Sequence, residues 1–271
     1  MFCRRGGILN IPVVINKQDI AASFSRAAVT YDSVAELQRQ VGHRLLSLIP
    51  VAGYPEIVDL GCGTGYFTRR LVSEFAAAVT GMDIALGMLN FARTHESAAG
   101  IGWCCGDAES LPLATASQSL IFSNLTLQWC AGLQQTLSEA RRVLKPGGCF
   151  AFSTLGPGTL YELRDAWGQV DRFTHVNRFA EPANIRDEVD RAGFSCRLVS
   201  EQIVMGYQSV RELTHELKML GAHNLNPGRS VGLTGKGRIR AMLQAYEAYR
   251  DQSGKLPATY QVFYFILHKE S

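Results

Sequence analysis

Residues 56–65 read EIVDLGCGTG, a short apolar run that stops at a glycine-rich turn. EIVDL has the length and β-branched content of a buried strand. The glycines let the chain turn sharply and pass close to a ligand. The residues that follow, about 66 to 76, read as a helix whose first N–H groups are open to a partner. Strand, glycine turn and helix in that order open a doubly wound α/β domain.

Working outward, the alternation repeats. AVTGMD (78–83), IGWCCGD (101–107), SLIFSN (119–124), GGCFAFSTL (147–155), residues 195–204 and TYQVFYFILHK (259–269) read as further strands. Helical patterns fall at 86–94, 133–144 and 182–192, and Lys145-Pro146-Gly147-Gly148 reads as a turn. The expected fold is α/β, with a doubly wound, mostly parallel seven-stranded sheet covered on both faces. Ile20, Phe24, Ala27 and Tyr31, then Leu37, Val41, Leu45 and Leu48, recur at helical spacing and predict one or two amphipathic helices over 17–49.

Two stretches interrupt the alternation. Residues 156–180 have no clean pattern, and 206–256 hold two helical patterns between the last two strands. Ser209 with Glu212 forms a capping box before Leu213, and Ile239, Met242, Leu243 and Tyr246 mark the second helix. The organisation expected is a loose tail over 1–14, contributed by an upstream start codon, and a single domain over 15–271. Within it, 15–53 form N-terminal helices, 54–155 a cofactor-binding core, and 156–180 and 206–256 substrate lids.

The chain has 271 residues and a net charge of +3, so its overall balance demands no nucleic-acid partner. Residues 211–240 carry six Lys/Arg against two Glu, a local net of +4 that leaves the rest of the chain at −1. Seven cysteines contain no CxxC pair, which gives no support for zinc or a disulfide framework and points to a reducing, cytoplasmic compartment. No run approaches the length of a membrane span. GRSVGLTGKG (228–237) looks like a phosphate loop, but the P-loop glycine would fall at Ser230 and its hydroxyl residue at Gly237. It also follows a helix, and reads as a connector.

Four polar signals sit at the expected strand ends, where such sheets bind ligands. They are Asp59-Leu60-Gly61-Cys62-Gly63-Thr64-Gly65, Asp83, Gly106-Asp107-Ala108 and Asn124-Leu125. Asp83 is well placed for a ribose diol. An aspartate two residues before the first glycine would repel a pyrophosphate but accept a hydrogen bond from an ammonium group. The constellation resembles the class I S-adenosylmethionine-dependent methyltransferases over about residues 55–155. The resemblance implies that Gly61, Cys62, Gly63 and Gly65 line the methionine part of the cofactor, with Asp59 interacting there through water. It implies Asp83 on the ribose hydroxyls, Asp107 on the adenine amino group, Ala108 in backbone contact, and Ile84 and Met88 packed on the adenine. Asn124 and Leu125 would lie near the methionine carboxylate and the sulfonium, and S-adenosylhomocysteine would be the product. No metal is implied.

The flanks narrow the resemblance. INKQDIAASFSRAAVTYD (15–32), ESLPLATASQSLIFSNLTLQWC (109–130), HVNRF (175–179), LKMLGAHNLNPGR and GLTGK (217–236) resemble the malonyl-acyl carrier protein O-methyltransferase family of biotin synthesis. That family esterifies the free malonyl carboxylate so that fatty-acid synthase can extend the disguised chain to a pimeloyl thioester. An ionised carboxylate needs no general base, so the residues to seek are those that hold it. Arg178, with His175 beside it, and Arg229 are the candidates, because a guanidinium pairs well with a planar carboxylate. Tyr31 is a candidate for positioning at the reacting atoms. Lys218, Lys236, Arg238 and Arg240, with Arg229, are candidates for docking an acidic carrier protein. Malonyl-coenzyme A as acceptor, a different small carboxylic acid, an RNA methyltransferase and a non-catalytic cofactor-binding protein all stay open at this point.

Overall fold

The structure, a computed structural model, describes residues 16–95, 100–222 and 235–270. Asn16 begins the first helix, α1 (Lys17–Val34), by accepting the Gln18 N–H on its side-chain oxygen at 3.0 Å. After a break at Ala35, α2 (Glu36–Leu48) buries Leu37, Val41, Leu45 and Leu48 along one stripe. Leu45 is fully enclosed, so truncation to alanine would cost about 2–5 kcal/mol.

The alternating part of the chain runs β1 (Glu56–Leu60), α3 (Tyr66–Phe75), β2 (Ala78–Asp83), α4 (Leu86–Thr94), β3 (Ile101–Cys105), β4 (Gln118–Asn124), α5 (Leu133–Val143) and β5 (Leu144–Leu155). It continues with α6 (Tyr161–Gly168), α7 (Pro182–Arg191), β6 (Phe194–Tyr207), α8 (Val210–Met219), α9 (Lys236–Glu247) and β7 (Leu256–Lys269). The strands form a seven-stranded sheet in the order β3-β2-β1-β4-β5-β7-β6. β1 to β5 are parallel, and β7 runs antiparallel to both of its neighbours. The chain steps outward from β1 to β3 and then returns to β4. The switch between β1 and β4 opens a crevice at their carboxyl ends, where such sheets take ligands.

Strand side chains alternate between two layers. Ile57, Leu120, Phe122, Ala151 and Tyr264 join the cluster beneath α2, α3, α6 and α9. Val58, Ile121, Phe150, Phe152 and Phe265 join the cluster beneath α5 and α7. This period of two on both faces is why the strands read as continuous apolar runs. Phe152 and Phe265, register partners on β5 and β7, stack at 4.8 Å with planes 10° apart.

The differences from the sequence reading have local causes. Residues 145–148 do not interrupt β5. Leu144 already pairs with Gln118, the register resumes at Cys149 opposite Leu120, and the extra residues form a bulge with Gly147 at φ +74°. α6 lies inside the stretch read as patternless, because Gly156-Pro157-Gly158 hide its start and it is two turns long. It is fixed by burying Leu163, Ala166 and Glu162, the last accepting from the Thr259 hydroxyl. The capping box at α8 forms with a shift: Glu212 N–H donates to Ser209 Oγ at 3.3 Å, while Glu212 Oε2 accepts the Gln208 N–H at 2.7 Å. Residues 1–14, Arg229 and most of 228–237 lie outside the described residues.

Candidate active site

The turn after β1 is pinned to the end of β2. Gly61 and Cys62 N–H both donate to the Met82 carbonyl, at 2.7 and 3.0 Å. Gly63 N–H donates to Asp83 Oδ2 at 2.9 Å, and Asp83 Oδ1 accepts the Ala85 N–H at 2.7 Å. Burial raises the Asp83 carboxyl above its ordinary range, and these N–H donors offset part of the rise. The glycines serve different ends. A Cβ on Gly61 would lie 2.2 Å from Thr126, whereas a Cβ on Gly63 would meet nothing within 4 Å. A Cβ on Gly65 would fall 2.5 Å from Trp103, so Gly65 makes room for packing and is absent from the cavity walls.

Of three adjoining hollows, two border this turn and the other shares walls with them. The first, about 770 Å³ including its open mouth, is walled by Gly61, Gly63, Asp83, Ile84, Met88, Asp107, Ala108, Asn124 and Leu125. Four dispersed strand ends therefore converge on one space. Met88 also belongs to a small buried cluster with Ala27, Ala28 and Ala85. The second hollow, about 1140 Å³, shares Phe24, Tyr31, Leu125 and Trp129 with the first. Its other walls include residues of α2, α6, α8 and the 175–179 segment, and are mainly apolar, with Gln38, Gln128, Thr159, His175, Asn177 and Thr214 as polar points. The third, about 430 Å³, holds Asp59 and Cys62.

Tyr31 borders all three hollows. Burial, reinforced by Asp83 and Asp32, holds its hydroxyl well above the usual phenol range, so it stays protonated. Asp59 is 2% exposed and accepts the Thr68 hydroxyl at 2.6 Å. Burial pushes its carboxyl up to about 7, and the negative Asp83 adds to this against the Thr68 bond. His175 lies in the second hollow, stacked on Trp167 at 3.7 Å between centroids, with Nε2 2.7 Å from Asp171 Oδ1. Arg178 does not join it. Arg178 is not among that hollow's walls and lies exposed on an adjoining groove that shares Trp167, His175, Val176, Asn177 and Phe179 with it.

Of the basic residues singled out, Lys218, Lys236 and Arg240 are exposed on α8 and α9. Arg238 is half-exposed but engaged, with Nη1 3.5 Å from Asp171 Oδ2 and its guanidinium 5.9 Å from the Phe173 ring centroid. Sequence reasoning missed Lys17, Phe24, Thr126 and Trp129. Lys17 donates to Asp107 at 2.6 Å and also pairs with Glu109, closing one end of the first hollow. Burial alone would lower the Lys17 ammonium, but the two carboxylates outweigh it and raise it. Phe24 meets Trp129 edge-to-face at 5.3 Å, forming part of the wall between the two larger hollows. Ile20, Phe24 and Tyr31, successive members of one helical stripe, all wall the first hollow.

Among the described residues, no group of three or more His, Cys, Asp or Glu is placed to hold a metal, and no helix is long and apolar enough to cross a membrane. Residues 58–152 match the methyltransferase domain family, which defines the class of the crevice between β1 and β4. The chain is 50% identical over 96% of its length to the biotin biosynthesis bifunctional protein BioHC of Cellvibrio japonicus, and spans 51% of that longer relative. It is 44% identical to the malonyl-[acyl-carrier protein] O-methyltransferase of Methylococcus capsulatus, covering 93% of this chain and 94% of that one. The fold is shared with Haemonchus contortus phosphoethanolamine N-methyltransferase 2, solved in complex with S-adenosyl-L-methionine, at 17% identity and a TM-score of 0.56, covering 91% of this chain and 57% of that one. The chain belongs to the malonyl-acyl carrier protein O-methyltransferase family.

Proposed function

We propose that this chain transfers a methyl group from S-adenosylmethionine to the free carboxylate of malonyl-acyl carrier protein in the cytoplasm, giving the methyl ester that starts pimeloyl synthesis for biotin. The observation that carries the reading is the pair of hollows meeting at Tyr31, Phe24, Leu125 and Trp129. One has a nucleoside's requirements and the other suits a long acyl arm.

The first hollow fits the cofactor on its own chemistry. The Asp83 carboxylate faces it beyond a turn whose Gly63 leaves open space. Ile84 and Met88 offer apolar surface, and Asp107 lies at the far end, shared with Lys17. When bound, the cofactor would supply an electrophilic methyl group on sulfur. A malonyl carboxylate, with a reference pKa of about 4, is already nucleophilic at neutral pH. The chain's residues then have to align the acceptor and exclude water, effects worth ~7 kcal/mol or more in favourable cases. Tyr31 and the Phe24–Trp129 pair stand at the junction for that purpose, and His175 is the polar group in the second hollow suited to steer a carboxylate.

Lys218, Lys236 and Arg240 would guide an acidic carrier protein to the mouth, mostly through the association rate. Reversing two of these charges should flatten the salt dependence of apparent affinity; an unchanged dependence would remove the docking role. The acceptor assignment is tested by offering malonyl-carrier protein beside an acyl-carrier protein without the distal carboxylate. Only the first should gain a methyl group, and equal use of both would refute the assignment.

A further inference from the structure

The third hollow is lined from two sides. The β1 turn contributes Asp59, Gly61 and Gly63, and the α1–α2 junction contributes Asp32, Gln38 and Arg39. The Oε1 atom of Gln38 is enclosed and has no hydrogen-bond donor. A buried acceptor without a donor is costly and calls for an explanation. Beside it, the Arg39 guanidinium donates to the Asp32 carbonyl and lies 5.2 Å from the Tyr66 ring centroid. That uses one of its five N–H donors.

Asn124, the strand-end residue nearest this space in sequence logic, is engaged at both ends of its amide. Nδ2 donates to the Gln38 carbonyl at 2.9 Å and Oδ1 accepts from Ser153 at 2.8 Å. Its geometry ties α2 to β4 and so holds Gln38 in place. A guanidinium, an unmet acceptor and a buried carboxylate facing one small space suit an α-amino-acid zwitterion. A cation meets the carboxylate, and oxygen acceptors meet the ammonium.

We infer that Gln38 and Arg39, at the start of α2, read the amino-acid end of the methyl donor: Arg39 donates to its α-carboxylate and Gln38 Oε1 accepts from its α-ammonium. This rests on the reading of the adjoining large hollow as the cofactor site, with which the small one shares Tyr31, Gly61, Gly63 and Asn124. Gln38 also borders the second hollow, but an ionised acceptor carboxylate has no proton to offer Oε1. The ammonium does.

Calorimetric binding of two ligands separates the possibilities. S-adenosylhomocysteine carries the amino-acid end; 5′-methylthioadenosine keeps the nucleoside and sulfur without it. Wild-type protein should favour the first. Arg39→Met and Gln38→Leu should each weaken S-adenosylhomocysteine on the order of tenfold or more, leave methylthioadenosine within about twofold, and so bring the two affinities together. Gln38→Glu, which keeps an acceptor, should retain most of the preference. Methylthioadenosine binding doubles as the check that each variant is folded, and Gln38→Leu carries the test if Arg39→Met does not fold. Equal loss of both ligands, or a wild-type protein that binds them equally, would overturn the assignment. A folded wild-type protein that binds neither would sink the cofactor reading itself, and this inference with it.

Discussion

Gly63 and Asp83 are joined by an N–H···Oδ2 bond of 2.9 Å that locks the turn after β1 onto the end of β2. The same carboxylate borders the large hollow, so it has both a structural and a ligand-facing side. Asp83→Ala would leave the Gly63 and Ala85 N–H groups without their acceptor, but it would also remove a desolvated charge, so the net loss of stability should be small. Binding should suffer far more. Loss of charge-assisted bonds to a ribose diol is expected to weaken S-adenosylhomocysteine on the order of a hundredfold by calorimetry. A variant with near-normal affinity would remove Asp83 from the site.

Gly61 and Gly63 differ in what a methyl group would meet, and the difference can be measured. Both have positive φ, +75° and +54°, so alanine costs about 1–2 kcal/mol of strain at either position. At Gly61 the added carbon would also overlap Thr126, and the melting temperature should fall by several degrees or the protein should fail to fold. At Gly63 the added carbon enters open space beside the hollow. Gly63→Ala should therefore fold with a smaller thermal loss and a larger loss of cofactor affinity. The reverse ranking would contradict this division.

Asp59 gives a stability signature that depends on pH. Burial raises its carboxyl to about 7, above its ordinary value. The native state therefore holds more protons than the unfolded state between about pH 4 and 7, and stability falls as pH rises across that window. Above it, the penalty for the buried charge is of order 4 kcal/mol. Asp59→Asn keeps an acceptor for the Thr68 hydroxyl and removes the charge. Urea unfolding should show the variant more stable than wild type near pH 8.5, with the gain vanishing toward pH 4. An equal difference at both ends would show that Asp59 titrates normally.

What was legible in the sequence is what has a strong local cause. β1 follows from an apolar run bounded by Pro55 and Gly61, and the four strand-end signals converge because a parallel sheet brings its carboxyl ends together. What was not legible depends on which elements meet across the sheet. Phe24 and Trp129 are distant in sequence and look like core until α1 is laid over the β4 end. Gln38 looks like a solvated helix position beside the stripe Leu37, Val41 and Leu45. Arg178 has the right chemistry for a carboxylate, yet it lies exposed on a groove beside the second hollow, while His175 lines both.

His175 is held by Asp171 and Trp167. Burial pushes the Asp171 carboxyl upward, but His175, the Phe173 N–H and Arg238 outweigh it and hold the carboxyl below the ordinary range. Asp171 thus stays ionised beside the imidazole and fixes its orientation. Asp171→Asn should raise KM for the malonyl thioester by roughly three- to tenfold while leaving S-adenosylhomocysteine affinity unchanged. Equal loss on both sides would mean that the pair supports the fold and does not steer the acceptor.

Methyl transfer between the two larger hollows is tested most directly by mass spectrometry of malonyl-acyl carrier protein after incubation with the protein and S-adenosylmethionine. One methyl group should be added on the malonyl carboxylate, with equivalent S-adenosylhomocysteine formed. Cofactor binding with no methyl group added to the malonyl carrier would contradict it.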